Sequence, residues 1–294
     1  MTKKFTFEGV CTALVTPFCG GEIDYLALGT LIDRQIEAGV DALLFCGTTG
    51  ESCTLSHNER LEFLKFCHAY VDGRVPIIAG TGGNNTAYAI EMSQIAEEIG
   101  YDALLLVTPY YNKATQSGLV RHYTAISDSV DTPIILYNVP TRTCVDISVD
   151  TVVELAKVNN IVAIKEASPS FSKITELLFA LPDDFAVFTG NDDTAFATLC
   201  SGGKGVISVV SNVVPKKFTK MCHCVMEKKY DEARLLNGEL LPLMRAMFCE
   251  VSPVPAKYAL SLLGLCSAEV RLPLIEIEKE NAKRVDKALT KSEI

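Results

Sequence analysis

Eight short apolar runs recur at similar intervals along this chain, and amphipathic stretches separate them. A run that is apolar on both faces is typical of a strand in a parallel sheet, because helices cover both sides of such a sheet. Strand and helix alternating eight times predict a closed (β/α)8 TIM barrel of the α/β class. The runs cover residues 10–14, 42–45, 76–79, 103–107, 133–137, 161–164, 186–188 and 205–209.

The stretches between the runs have the pattern of helices. Residues 57–71 and 86–99 carry apolar side chains at helical spacing, and Gly73 stands where a helix C-cap is expected. A doubly wound open sheet is the alternative, but no glycine fingerprint follows the first run. Because helical patterns continue past the eighth unit, we predict a barrel over residues 1–229 and a C-terminal helical extension over residues 230–294, packed on the barrel.

The composition argues against several classes of protein. A formal charge of -9 is unfavourable for binding nucleic acid, which requires a basic face. No apolar run reaches the length of a membrane span. The 11 cysteines lack disulfide-like spacing and residues 1–8 show no secretory leader, so we expect reduced thiols in the cytoplasm. Residues 222–224 (Cys-His-Cys) have the wrong spacing for zinc and a helical pattern, so we expect no metal there.

Lys165 follows the sixth apolar run directly, at the end of a strand where barrel enzymes carry their catalytic groups. Burial disfavours the charged form of a lysine, and a neutral amine can attack a ketone to form a Schiff base. A lysine at a strand end can equally reach solvent or pair with an acid such as Glu166. Its position alone leaves both hypotheses open.

Polar groups also follow other predicted strands. After the second run, Thr48 and Thr49 lie between two glycines, in a turn whose backbone N–H groups can face an anion. Tyr111 follows the fourth run, and Tyr137 ends the fifth run shortly before Arg142. An amine, phenols, hydroxyls and a guanidinium at one barrel mouth can condense a keto acid through an imine, with the guanidinium or the turn holding carboxylates.

Three segments resemble a known superfamily. Residues 47–51 (GTTGE), 137–140 (YNVP) and 164–166 (IKE) are similar to the pyruvate-dependent class I aldolases, and their order and spacing span the whole chain. Within that superfamily, the paired threonines and Arg142 resemble the dihydrodipicolinate synthase family. Sialic acid lyases and sugar-acid aldolases share the lysine and the tyrosine but usually lack this arginine, and they are the alternative activity. A non-catalytic barrel would be expected to have lost the lysine or the tyrosine.

The resemblance implies a reaction. Lys165 forms an imine with pyruvate, and the derived enamine attacks L-aspartate 4-semialdehyde to give 4-hydroxy-tetrahydrodipicolinate, the first committed step of diaminopimelate and lysine biosynthesis. Tyr137 donates and accepts protons, and Thr49 and Tyr111 complete its hydroxyl relay. No cofactor is implied beyond the covalent imine, and no catalytic metal. The resemblance implies substrate contacts for Thr48, Thr49, Arg142, Gly190 and Ile207.

The resemblance also implies an assembly and a regulatory cleft. The family is usually a tetramer of two tight dimers, in which the second tyrosine of the Tyr110-Tyr111 pair enters the neighbour's site. Many relatives bind lysine between subunits, at positions that match Ser52, His57, Asn84 and Tyr110. Tyr88 stands where lysine-sensitive relatives carry a glutamate, and Arg60 where they carry a histidine. We therefore expect little inhibition by lysine, unless Glu91 replaces the missing carboxylate.

Overall fold

The computed structural model describes residues 7–291, and eight parallel strands in this range form a closed barrel. No strand bound differs from the predicted run by more than two residues, so the barrel prediction is confirmed. The strands are β1 (Gly9–Ala13), β2 (Ala42–Phe45), β3 (Ile77–Gly80), β4 (Ala103–Val107), β5 (Ile134–Asn138), β6 (Ile161–Glu166), β7 (Ala186–Thr189) and β8 (Gly205–Ser208). Their order around the barrel is β1-β8-β7-β6-β5-β4-β3-β2.

Helices follow the strands, and further helices follow the last strand-helix unit. The helices are α1 (Tyr25–Glu37), α2 (His57–Val71), α3 (Thr86–Ile99), α4 (Gln116–Ser127), α5 (Pro140–Thr143), α6 (Val149–Leu155), α7 (Phe171–Ala180), α8 (Ala195–Cys200), α9 (Pro215–Met226), α10 (Tyr230–Ala246), α11 (Val254–Leu262) and α12 (Lys279–Lys291). Capping explains where α2 begins, because the Ser56 side chain and the Glu59 side chain each accept a hydrogen bond from the other's backbone N–H. Its C-cap is Asp72, with φ 49°, rather than the expected Gly73.

The described residues divide into two compact units. The first unit contains residues 7–8 and 76–207, and the second unit contains residues 9–75 and 208–291. In the second unit, α10 packs against α9 and α12, and α11 packs against α12. These C-terminal helices therefore share a unit with β1 and β2, and the proposed division between residues 229 and 230 stays a prediction.

The strand register in the first unit aligns the polar strand ends. Val107, Tyr137, Lys165 and Phe188 lie side by side on β4 to β7. In the next row, Asn138 pairs with Glu166, which pairs with Thr189. Because successive side chains of a strand point to opposite faces, these two rows face opposite sides of the sheet.

Further features of the structure bear on what the sequence predicts. A two-stranded antiparallel hairpin, Phe18–Cys19 with Glu22–Ile23, was not predicted, since strands of two residues give no apolar run.

Residues 222–224 lie within α9, and residues 7–291 contain no group of ligating side chains that could hold a metal ion. All 11 cysteines are free thiols. Among the described helices, none is long and apolar enough to cross a membrane. The expectation about a secretory leader rests on residues 1–8, of which 1–6 lie outside the described range.

Candidate active site

Lys165 and Tyr137 are direct neighbours across β6 and β5, near the carboxyl ends of both strands. Both side chains are buried, with 5% and 6% of their surface exposed. The Nζ atom of Lys165 lies 4.2 Å from the centroid of the Tyr137 ring. The amine therefore does not extend into solvent but lies against the ring of the tyrosine.

Gly190 leaves the space that the lysine side chain occupies. It directly follows β7, and a Cβ atom at this position would lie 2.8 Å from Cε of Lys165 and 2.7 Å from Cβ of Ala167. Any larger residue would push the lysine aside, so the requirement for glycine here is steric. Ile207 is fully buried on β8.

Arg142 and Tyr111 lie on exposed segments after β5 and β4. Arg142 is exposed on the short helix α5. Tyr111 is 89% exposed and has the left-handed backbone conformation, with φ 71°, which is uncommon for a residue other than glycine. The segment before it is tied to β5, because Thr108 donates from both its N–H and its hydroxyl to the carbonyl oxygen of Tyr137, at 2.9 Å each. Within one chain, Tyr111 is therefore not buried beside Tyr137.

Thr48 and Thr49 belong to the second unit, in a tight turn after β2. The N–H of Gly50 donates to the carbonyl oxygen of Gly47, and the N–H of Glu51 to that of Thr48, at 3.1 Å each. Among residues 7–291, no backbone hydrogen bond involves the N–H of Thr48 or Thr49 as donor. These two groups agree with the expected anion-binding turn.

A buried ion pair lies directly behind this turn. Glu51 has φ 51°, and its carboxylate accepts from Nζ of Lys257 on α11 at 2.7 Å and from the N–H of Arg271 at 3.1 Å. Less than 2% of either charged side chain is exposed. Burial lowers the pKa of Lys257, and the neighbouring Glu51 opposes that change.

Both cations beside Glu51 contact the ring of Phe18. Lys257 Nζ lies 4.2 Å from the ring centroid of Phe18, and Arg271 Cζ lies 4.4 Å from it. Both distances suit cation–π interactions. The arginine also pairs with Glu59 on α2 at 2.5 Å, and this hydrogen bond lowers the pKa of Glu59 to about 2. The role of Lys257 was not predicted from the sequence, where its signal is a lysine among the apolar residues of α11.

The positions expected to line a regulatory cleft are divided between the units. In the second unit, Ser52 begins a short 3-10 helix and His57 is the first residue of α2. In the first unit, Asn84 lies shortly before α3 and Tyr110 follows β4. All four are partly exposed.

The two departures from the lysine-sensitive pattern differ in burial. Tyr88 is half-buried on α3, where Glu91 is exposed. Arg60 is buried on α2 with its guanidinium beside the thiol of Cys46. Burial raises the pKa of that thiol to about 11, and the guanidinium opposes the change. Arg60 is therefore not an ordinary surface residue of its helix.

Comparison with known proteins identifies the family. Residues 6–292 match the model of the dihydrodipicolinate synthetase family, so the chain belongs to this family. A 4-hydroxy-tetrahydrodipicolinate synthase from Kosmotoga olearia is 47% identical over 286 residues, which cover 96% of this chain and 97% of the relative.

Solved structures agree with this membership. Dihydrodipicolinate synthase from Aquifex aeolicus is 43% identical with a TM-score of 0.95, and the match covers 98% of each chain. A chloride-inhibited dihydrodipicolinate synthase from Acinetobacter baumannii, complexed with pyruvate, is 42% identical with a TM-score of 0.96, over 98% of this chain and 100% of that one.

Proposed function

We propose that this chain condenses pyruvate with L-aspartate 4-semialdehyde to give 4-hydroxy-tetrahydrodipicolinate. The observation that carries the proposal is the buried lysine-tyrosine pair of β6 and β5, in a chain that belongs to the dihydrodipicolinate synthetase family. A buried amine is suited to form an imine with a keto acid, and a phenol beside it is suited to move protons. The reaction is the committed step towards diaminopimelate and lysine, and cytoplasmic location is part of the proposal.

The chemistry begins with attack of the Lys165 amine on the ketone carbon of pyruvate, which forms an imine and releases water. Loss of a methyl proton gives an enamine, whose carbon then bonds to the aldehyde carbon of the semialdehyde, while the aldehyde oxygen takes up a proton. The amino group of the semialdehyde next attacks the imine carbon, closes the ring and frees the lysine. Tyr137 supports the proton transfers, because its phenol lies beside Nζ.

The remaining groups bind carboxylates or complete the relay. We assign the pyruvate carboxylate to Thr48 and Thr49, consistent with two N–H groups that make no backbone hydrogen bond within residues 7–291. Thr49 and Tyr111 extend the relay from Tyr137. The exposure of Tyr111 supports the proposal that it acts in the site of a second copy, within a tetramer of two tight dimers. Gly190 and Ile207 contribute backbone contacts near the imine.

Purified protein tests the proposed function directly. With pyruvate and aspartate semialdehyde we expect consumption of both substrates and formation of the cyclic product. Failure to consume the semialdehyde, together with efficient cleavage of N-acetylneuraminate, would replace the proposal by the sialic acid lyase activity.

Arg142→Ala is expected to weaken binding of the semialdehyde selectively. A charge-assisted bidentate pair contributes roughly 1.5–3 kcal/mol, so the KM for the semialdehyde should rise roughly tenfold to a hundredfold. The KM for pyruvate should change little, and steady-state kinetics with each substrate varied in turn measure both values. Arg121→Ala, which changes an exposed arginine on α4, is the matched control. Equal increases in both KM values would mean that Arg142 acts on the fold or on the imine.

Free lysine is expected to leave the initial rate nearly unchanged. The phenol of Tyr88 cannot form the ion pair that a glutamate forms with an ammonium group, and losing one such bond costs about 1.5–3 kcal/mol. Initial rates at increasing lysine concentration, at fixed substrate concentrations, measure the effect. Tyr88→Glu should restore sensitivity. Clear inhibition of the unchanged protein at sub-millimolar lysine would show that another acid, such as Glu91, binds the ammonium.

A further inference from the structure

A polar network lies on the opposite face of the sheet from Lys165 and Tyr137. Asn138 and Glu166 are the next residues on the same two strands, they are paired in register, and neither side chain is exposed to solvent. The Nδ2 group of Asn138 donates to both carboxylate oxygens of Glu166, at 2.8 and 3.1 Å. The strand ends that carry the amine and the phenol are therefore joined twice, once through the backbone and once through this side-chain pair.

The same asparagine closes the loop that carries Arg142. Its Nδ2 donates to Oδ1 of Asp146 at 2.7 Å, and its Oδ1 accepts from the N–H of Ile147 at 3.1 Å. Residues 139–145, which include Arg142, therefore form a loop. The side chain of Asn138, at the start of this loop, holds its other end at Asp146 and Ile147. Thr143 tightens the loop further, because its hydroxyl lies within hydrogen-bond distance of the carbonyl oxygens of both Val139 and Val145.

Lys173, on α7, supplies the positive charge of the network. Its Nζ donates to Asp146 Oδ1 and to the carbonyl oxygen of Ile147, the latter at 2.5 Å, and lies 3.7 Å from Oε2 of Glu166. Glu166 also accepts from the N–H of Ser168 at 2.6 Å. One lysine therefore holds the carboxylate behind Lys165 and the end of the Arg142 loop together.

The buried charges of this network, on Glu166 and Lys173, are a weak source of stability, whereas the side chain of Asp146 is 54% exposed. Removing a carboxylate and an ammonium group from water is costly, and well-packed apolar residues often replace such groups without loss. An apolar cluster would fasten α7 to the sheet equally well, but it would not fix the direction of a loop through hydrogen bonds.

We propose that Asn138, Glu166, Lys173 and Asp146 form a positioning network with two arms, which sets the site for both substrates. The Glu166 arm orients the strand end that carries Lys165, and the Asp146 arm orients the loop that carries Arg142. Asn138 and Lys173 connect the arms. The inference rests on the proposed function for its substrates, but its geometry is independent of them.

Variants that remove the carboxylate of one arm at a time test the proposal. Asp146→Ala should raise the KM for the semialdehyde roughly tenfold, while the rate at which borohydride traps the pyruvate imine stays unchanged. Glu166→Gln should slow that trapping roughly tenfold and change the KM for the semialdehyde much less. Asp146→Asn keeps an acceptor oxygen and should recover most of the affinity. Asp150→Ala, an exposed acid on α6, is the matched control.

A purely structural network would give a different result. Both variants would then lower thermal stability and impair both substrates together, and this outcome would overturn the inference. Hydrogen exchange of residues 139–147 adds a measurement that needs no turnover: exchange should be faster in Asp146→Ala and unchanged in Asp150→Ala. Unchanged exchange in Asp146→Ala would overturn the inference, whatever the substrate is. If exchange is faster in Asp146→Ala but the unmodified protein does not turn over the semialdehyde, only the proposed function is overturned.

Discussion

Lys165→Ala is expected to abolish the pyruvate adduct that borohydride traps on this protein, and to lower turnover by at least about a thousandfold, because removing the nucleophile of a covalent mechanism typically costs several powers of ten. The reason is geometric, since the lysine amine lies buried against the ring of Tyr137. Mass spectrometry of the digested protein should find one pyruvate-derived mass on the peptide that contains Lys165.

Lys204→Ala is the matched control for this prediction. Lys204 directly precedes β8 and forms an exposed ion pair with Glu8 at 2.7 Å, so its loss should leave both the adduct and the rate unchanged. An adduct that persists in Lys165→Ala, or that maps to another lysine in the unmodified protein, would show that the imine forms elsewhere.

The barrel and the position of the Lys165 amine could be predicted from the sequence because both depend on local patterns. Strands buried on both faces give continuous apolar runs, and a residue at the end of such a run lies at the carboxyl edge of the sheet. Tyr137 ends the fifth run and Lys165 directly follows the sixth, so their proximity follows from the strand order. The structure adds the register that makes them direct neighbours.

The supporting residues could not be predicted in the same way. Glu51 and Lys257 are separated by 206 positions, and nothing in either segment identifies the partner. Asn138 and Lys173 have ordinary sequence surroundings, and their roles depend on which face of the strand or helix meets the loop at Asp146. Tyr111 has a left-handed backbone conformation that the composition of its loop does not reveal.

The buried pair of Glu51 and Lys257 is expected to dominate the stability of the turn that carries Thr48 and Thr49. Lys257→Met keeps most of the side-chain volume but leaves the Glu51 carboxylate without its cation. Breaking a buried ion pair in this way costs about 3–5 kcal/mol. Urea denaturation should therefore show a lower free energy of unfolding by about that amount, and the melting temperature should fall by roughly 5–15 °C.

The double variant Glu51→Gln/Lys257→Met separates the effect of the unpaired charge on the free energy of unfolding from the effect of altered packing. Because a neutral pair carries no uncompensated charge, it should recover most of the stability lost in Lys257→Met. Lys65→Met is the matched control: Lys65 pairs with Glu62 at 3.1 Å on an exposed face of α2, and its loss should change the free energy of unfolding by less than about 1 kcal/mol. If Lys257→Met were as mild as this control, the carboxylate of Glu51 would have to be satisfied by Arg271 alone, and the turn would not depend on α11.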